Sequence, residues 1–231
     1  PIAHIHGGET TQGAFDEAIR HSITKMAWWH FVAADEYQNR VIQLGEDPGR
    51  VFNVGGMGVD GIKKINLLKK GELEAAINFK FGNRNLLVTF HPVTLENETS
   101  EQQFGELLKS LKNLINTKII FTLANSDTNG RIINSMINTF IKDNPTTTVA
   151  FSSMGQLNYL SSLQFVDGII GNSSSGLAEA PTFKIGTINI GDRQKGRLKA
   201  DSVINCEPTK ESINHAINTF YNKDFQKVLL S

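Results

Sequence analysis

Short apolar runs rich in β-branched residues alternate with longer, polar-faced segments along the whole chain, and this alternation constrains its fold most. The apolar runs fall at 2–5, 29–34, 51–54, 85–90, 118–123, 147–151, 166–170 and 187–190, with 202–205 a candidate edge strand. Between them, 16–27, 35–44, 59–68, 72–79, 101–114, 131–142, 155–162, 176–180 and 210–222 read as helices. In 16–27, Ala18, Ile19, Ile23 and Met26 recur near helical spacing, and the acids Asp16 and Glu17 suit a helix N-terminus. Nearly all-apolar strands alternating with helices predict a parallel sheet buried by helices on both faces, a doubly wound, Rossmann-type α/β fold. Gly55, Gly56 and Gly58 form the best candidate linker, because glycine permits the backbone angles of a hinge.

Ligands of doubly wound sheets sit beyond the carboxyl ends of the strands. The residues that follow each run are polar. They are His6-Gly7-Gly8-Glu9 after the first, with Asp16, Arg20 and His21 beyond it, and His91-Pro92-Val93-Thr94 after 85–90. Asn125-Ser126-Asp127 lies just beyond 118–123, residues 171–176 (GNSSSG) follow 166–170, and Gly191-Asp192-Arg193 follows 187–190. Small residues let a ligand approach the backbone at 171–176, and serine hydroxyls with helix N-terminal N–H groups suit a phosphate. An ordinary Ser/Asn helix cap needs only one such residue, and the loop has three serines.

Glu179 has the chemistry to accept two ribose hydroxyls, or to be a solvated surface carboxylate. Arg193 suits a diphosphate, or a surface ion pair with Asp192. His91 can bond a phosphate or shuttle a proton, or simply open a loop. His6, Glu9, Asp16, Arg20 and His21 are the densest ionisable cluster, readable also as a solvated helix start with i,i+4 pairs. His4, His30 and His215 read as structural, and Trp28 and Trp29 as packing residues.

Composition narrows the function. Among 231 residues, 23 Lys and Arg balance 23 Asp and Glu. A general nucleic-acid binder needs a basic surplus to displace counterions, and a membrane-surface protein a polybasic patch. The single cysteine, Cys206, excludes an internal disulfide and gives no basis for a Cys-rich metal site. With no signal peptide, this favours a cytoplasmic location. No apolar run approaches the roughly 18–20 residues of a membrane span. P-loop, GxGxxG, HExxH and GxSxG motifs are absent, so P-loop phosphoryl transfer, hydride transfer, zinc hydrolysis and the nucleophile elbow lose their usual supports. The chain starts at Pro1, and PIAHIHGG reads as the interior of something longer, so a fragment is expected.

With these loops in hand, the chain resembles the hydrolysing UDP-N-acetylglucosamine 2-epimerases of bacterial sialic-acid and legionaminic-acid biosynthesis. The resemblance rests on HIHGGETTQGAFDEAIRHSITKMA (4–27), VFNVGGMGVD (51–60), TFHPVTLE (89–96), SMGQLNYLSSL (153–163), IGNSSSGLAEAP (170–181) and INIGDRQKGR (188–197), in the family's order. It implies a GT-B-like fold, with 1–55 the end of a first Rossmann-like domain and 56–231 the second, nucleotide-binding one. It also implies a UDP-sugar substrate, no cofactor or metal, no nucleic-acid or membrane partner, and a homodimer or homotetramer.

The implied chemistry is anti elimination of UDP, giving a 2-acetamidoglycal, then hydration to the free 2-epimeric sugar of N-acetylmannosamine type. The substrate is UDP-GlcNAc or UDP-N,N′-diacetylbacillosamine. The resemblance assigns Ser173, Ser174, Glu179 and Arg193 to UDP, with His91 at the phosphates, and Asp16 and Arg20 to the sugar end. Many relatives carry an acid where this chain has His6, and the loop from Gly8 to Asp16 reads one residue longer here. Glu9 is then the remaining carboxylate and His6 a second candidate for proton transfer; the choice is open at this point. The resemblance also implies an upstream catalytic Asp that this chain does not contain, so the piece by itself is expected to be inactive. A GT-B glycosyltransferase using a UDP-sugar and a non-catalytic nucleotide-binding module are the alternative readings.

Overall fold

The computed structural model describes residues 1–10, 16–92, 99–124 and 130–230. Val93, Thr94, Asn125, Ser126 and Asp127, and part of the loop between Gly8 and Asp16, lie outside them. The chain divides into two compact units, one of Pro1–Lys64 with Asp192–Arg197, the other of Ile65–Gly191 with Leu198–Ser231.

Unit 1 runs β1 (Ala3–Ile5), α1 (Asp16–Met26), β2 (Trp29–Val32), α2 (Asp35–Gln43), β3 (Val51–Asn53) and α3 (Met57–Lys64). Its three strands pair in parallel in the order β1-β2-β3. Side chains alternate across a strand, so His30 and Val32 of β2 point inward. Val32 and Val51 pack with Tyr37 and Val41 of α2. The opposite face carries half-exposed aromatics, with the Phe31 and Phe52 rings stacked at 5.6 Å and Trp29 tilted against Phe52 at 6.0 Å.

Unit 2 runs α4 (Lys70–Ile77), β4 (Arg84–Thr89), α5 (Ser100–Leu111), β5 (Thr117–Thr122), α6 (Gly130–Asp143), β6 (Thr148–Phe151) and α7 (Gly155–Ser162). It continues with β7 (Gly168–Gly171), α8 (Ser175–Ala178), β8 (Gly186–Ile190), β9 (Val203–Cys206), α9 (Lys210–Phe220) and α10 (Lys223–Val228). The six strands are all parallel in the order β6-β5-β4-β7-β8-β9. One sheet face buries Leu86, Val88, Phe121 and Ile188 under Phe104, Leu107, Ile133 and Phe220 of α5, α6 and α9. The residues between them, Leu87, Ile120 and Ile169, are equally buried on the other side. Each such side chain taken out of water contributes about 1.5–3 kcal/mol. The α/β, Rossmann-type expectation is met, since the apolar runs became parallel strands.

Three local expectations differ. The helix expected over 59–68 is α3, which ends at Lys64. Leu68 is instead held by the end of α7 and the residues just after it: its N–H donates to Ser161 Oγ at 3.0 Å and its carbonyl accepts from Gln164 Nε2 at 3.2 Å. A new helix then starts where Glu72 accepts the Lys69 N–H at 2.8 Å. The closing helix stops at Phe220, and α10 follows because the Asn222 side chain caps it by accepting from the Asp224 N–H at 3.1 Å. The helix expected over 176–180 is only the four-residue α8, followed by a 3-10 turn at Ala180–Phe183. No helix among the described residues is long and apolar enough to cross a membrane.

Candidate functional site

The strand order of unit 2 has its topological switch between β4 and β7, where the chain winds outward in opposite directions. Such switch points leave a crevice at the carboxyl strand ends. His91 leaves β4 there and the 171–176 loop leaves β7.

Asn172, 1% exposed, joins the two. Its Oδ1 accepts the His91 N–H at 2.7 Å and its Nδ2 donates to the His91 carbonyl at 2.7 Å. Its own N–H donates to the Thr89 carbonyl at 3.1 Å. The turn needs Gly171: its φ is +141°, and a Cβ there would lie 1.9 Å from the Thr89 carbonyl oxygen.

Ser173 Oγ accepts the Ser175 N–H at 3.3 Å. Ser175 Oγ is bonded to the Tyr159 hydroxyl. Burial pushes the Tyr159 phenol well above its usual range, and the negative charge of Glu179 adds to this, so it stays protonated. Ser173, Ser174 and Glu179 are half-buried around this turn. Because α8 has four residues, its dipole is small, and the polar groups this turn offers are hydroxyls and loop N–H groups.

Unit 1 gathers charged groups instead. After β1 the chain turns sharply, with His6 at φ +60° and Gly8 at φ +76°. A Cβ at Gly8 would strike the Tyr37 carbonyl at 2.3 Å. The Arg40 guanidinium donates to the Gly8 carbonyl, and Arg20 Nη1 to the Glu9 carbonyl at 3.0 Å. His6 Nδ1 and Glu9 Oε1 are 2.8 Å apart. Arg197 Nη2 forms an ion pair with Glu9 Oε2 at 3.7 Å. Thr10 Oγ1 donates to the Gly196 carbonyl at 2.7 Å.

Arg193 is half-buried on the Asp192–Arg197 segment of this unit, where exposed Asp192 pairs with Lys195 at 4.0 Å. Asp16 is exposed at the first position of α1. His21 pairs with Glu17 at 3.1 Å, and Arg20 reaches Glu17 at 3.9 Å.

A buried polar layer supports this loop. His4 Nδ1 bonds Thr24 Oγ1 at 3.0 Å. His30, fully buried, meets Glu46 at 3.2 Å, and Lys25 meets the same carboxylate at 2.5 Å. Burial lowers the His4 pKa, helped by the nearby charges of His30 and Arg20. The Lys25 hydrogen bond holds the Glu46 carboxyl below its ordinary range.

The structure therefore brings His6, Glu9 and Arg20 together, and joins the His91 backbone to the serine loop. Reading loops one at a time misses Asn172, Tyr159 and Arg197. Their signal was present in GNSSSG, GQLNY and GDRQKGR, but polar types alone do not tell a bracing residue from a ligand contact.

Folds of the doubly wound class place their ligands at the switch point, where this chain has the small-residue loop 171–176. The chain belongs to the UDP-N-acetylglucosamine 2-epimerase family, whose pattern it matches over residues 1–229. It is 42% identical over 98% of its length to a Campylobacter jejuni protein named GDP/UDP-N,N′-diacetylbacillosamine 2-epimerase (hydrolyzing). It is 43% identical over 100% of its length to the Escherichia coli polysialic acid biosynthesis protein P7. In both cases the chain spans 59% of the relative's length. Among solved structures it resembles the Neisseria meningitidis UDP-GlcNAc 2-epimerase bound to UDP-GlcNAc, with TM-score 0.80, 15% identity, and coverage of 99% of this chain and 64% of that one. This likeness shows the fold, which is GT-B-like.

Proposed function

We propose that the protein is a hydrolysing nucleotide-sugar 2-epimerase, acting on a UDP-activated 2-acetamido sugar. The observation that carries this is the 42% identity, over nearly the whole chain, to a relative named for that hydrolysing reaction. The two loop clusters supply the chemical types that the reaction needs. In this reading 1–55 closes a first Rossmann-like domain and 56–231 forms the second.

The reaction removes the proton at C2, expels UDP from C1, and adds water to the resulting 2-acetamidoglycal. Donors at the β4 and β7 ends suit the nucleotide: Ser173 and Ser174 by hydroxyl, and His91 at the phosphates. Glu179 accepts the ribose hydroxyls. Arg193 stabilises charge developing on the departing diphosphate, where a fixed cation contributes more in the transition state than in the ground state. Asp16, Arg20, His6 and Glu9 serve the sugar end, which needs at least two acid/base groups because proton removal and hydration are separate steps.

UDP-N,N′-diacetylbacillosamine is the substrate that the Campylobacter relative's name supports, with UDP-GlcNAc the other candidate. A cytoplasmic location fits a chain with one cysteine, and assembly as a dimer or tetramer is part of the same reading. The test is the full-length protein with each sugar nucleotide in D2O, without an acceptor. Release of UDP with a free 2-epimeric sugar deuterated at C2 is expected. No UDP from either substrate overturns the proposal, and release only on adding an acceptor sugar would instead make it a glycosyltransferase.

A further inference from the structure

We propose that His6 is the residue that moves the sugar's C2 proton, and that Glu9 and Arg197 are positioning residues that fix its tautomer and aim. This rests on the epimerase reading above and decides between the two candidates that the sequence leaves open.

The Glu9 carboxylate is engaged at both oxygens, by His6 Nδ1 at 2.8 Å on Oε1 and by Arg197 Nη2 at 3.7 Å on Oε2. Its side chain is 15% exposed, whereas that of His6 is 37% exposed. An ionised carboxylate only accepts hydrogen bonds, so the proton between the two groups sits on His6 Nδ1. A neutral imidazole protonated at Nδ1 carries its lone pair on Nε2, which becomes the basic atom.

The backbone is arranged for this. His6 is a non-glycine residue at φ +60°, a conformation that persists only when its surroundings impose it. The His6 N–H donates to the Phe31 carbonyl at 2.9 Å, while Arg40 and Arg20 hold the Gly8 and Glu9 carbonyls. Thr10 ties the same loop to the Gly196 carbonyl, next to Arg197. Arg197 lies on the segment that carries Arg193, so the group that orients the base and the group assigned to the diphosphate share one short stretch of backbone.

In the elimination, His6 Nε2 takes the proton from C2. The C2–H electron pair becomes the C1–C2 π bond, and the C1–O bond breaks with its electron pair leaving on the UDP oxygen. The imidazolium keeps its Nδ1–H on Glu9 and loses the new proton to solvent, so the proton that C2 gains on hydration of the glycal comes from solvent.

The test uses the intact enzyme and two readouts. The first is the His6 tautomer, from imidazole ¹⁵N shifts in the wild type, Glu9→Ala, Glu9→Gln, Arg197→Ala and Arg197→Lys. The wild type shows Nδ1–H, Glu9→Ala moves toward Nε2–H, and Glu9→Gln, whose amide oxygen still accepts, keeps Nδ1–H. The second is kcat and KM for UDP release. His6→Gln lowers kcat by about 10²–10⁴-fold, the usual worth of a positioned acid/base group. Glu9→Ala lowers kcat with KM nearly unchanged, Glu9→Gln recovers part of it, and Arg197→Lys retains more than Arg197→Ala.

The proposal is overturned if His6→Gln stays within a few-fold of wild type, if Glu9→Ala changes neither tautomer nor kcat, or if Glu9→Gln is as impaired as Glu9→Ala. A wild type that releases no UDP sinks the epimerase reading, and the proton step with it. A wild-type tautomer of Nε2–H in an active enzyme sinks this assignment alone.

Discussion

The two loop clusters are built from different materials. At the β4 and β7 ends of unit 2, the fixed contacts are neutral: Asn172 to the His91 backbone, Ser173 to a loop N–H, and Tyr159 to Ser175. After β1 of unit 1, nearly every anchor is ionisable: His6, Glu9, Arg20, Arg40 and Arg197. A binding loop gains from donors that keep their form at any pH and present backbone closely. A proton-transfer loop needs groups whose charge changes, and these need charged neighbours to hold their geometry. The sheets beneath differ too. The central strands of unit 2, β4, β7 and β8, are buried on both faces, while in unit 1 Ile5, Trp29 and Phe52 remain 47%, 39% and 40% exposed on one face.

The sharpest break in this contrast would come from Gly171→Ala. A Cβ placed 1.9 Å from the Thr89 carbonyl, at φ +141°, forces β7 away from β4. We expect a loss of more than about 3 kcal/mol of stability, the scale of strain combined with overpacking, seen as a lower urea midpoint. A midpoint near wild type would mean that the unit 2 loop is held less tightly than its contacts imply.

Asp16→Asn probes the ionisable side. The exposed carboxylate at the start of α1 is assigned to the sugar, so its neutral isostere should lower kcat by about 10²-fold or more with little change in KM. A near wild-type rate of UDP release would remove Asp16 from the acid/base groups.

Glu179→Ala probes the binding side, and should do the reverse. Losing a charged hydrogen bond of about 1.5–3 kcal/mol raises KM roughly 10- to 100-fold with kcat largely retained. Titration with UDP checks it directly, and an unchanged affinity would refute the ribose role.

The smallest effect concerns the buried layer under the unit 1 loop. The folded-state pKa of His4 lies below its ordinary 6.5, so the unfolded chain binds the proton more readily. Stability from a neutral His4 is complete above that value and is lost as the pH falls from it toward the lowered one. Urea midpoints between about pH 7.5 and 5 should therefore fall less steeply for His4→Gln than for the wild type. Parallel slopes would show that His4 carries no proton linkage.

Much of the fold was readable because strand and helix periodicities differ and the apolar runs are well separated. Where reading failed, a distant contact decided. Leu68 follows a helical pattern but is held by Ser161 of α7 and by Gln164 just beyond it. The α10 start depends on one Asn222 side chain. In the candidate site, residue types and their place after strands were legible, but partnerships were not. Spacing shows that His6 and Glu9 are three apart, yet only the left-handed turn at His6 brings ring and carboxylate together. Arg197 approaches from the far end of the sequence, where no local pattern can announce it.

The paired bonds from Asn172 to both backbone groups of His91 have an energetic consequence. The backbone of His91, just after β4, and the turn after β7 are already fastened to one another at the mouth of the β4–β7 crevice. Ordering these two segments is part of folding rather than of binding, so any ligand arriving there would spend little of its contact energy on immobilising them. Loosening that fastening would weaken affinity through entropy, even with every ligand-contacting side chain intact.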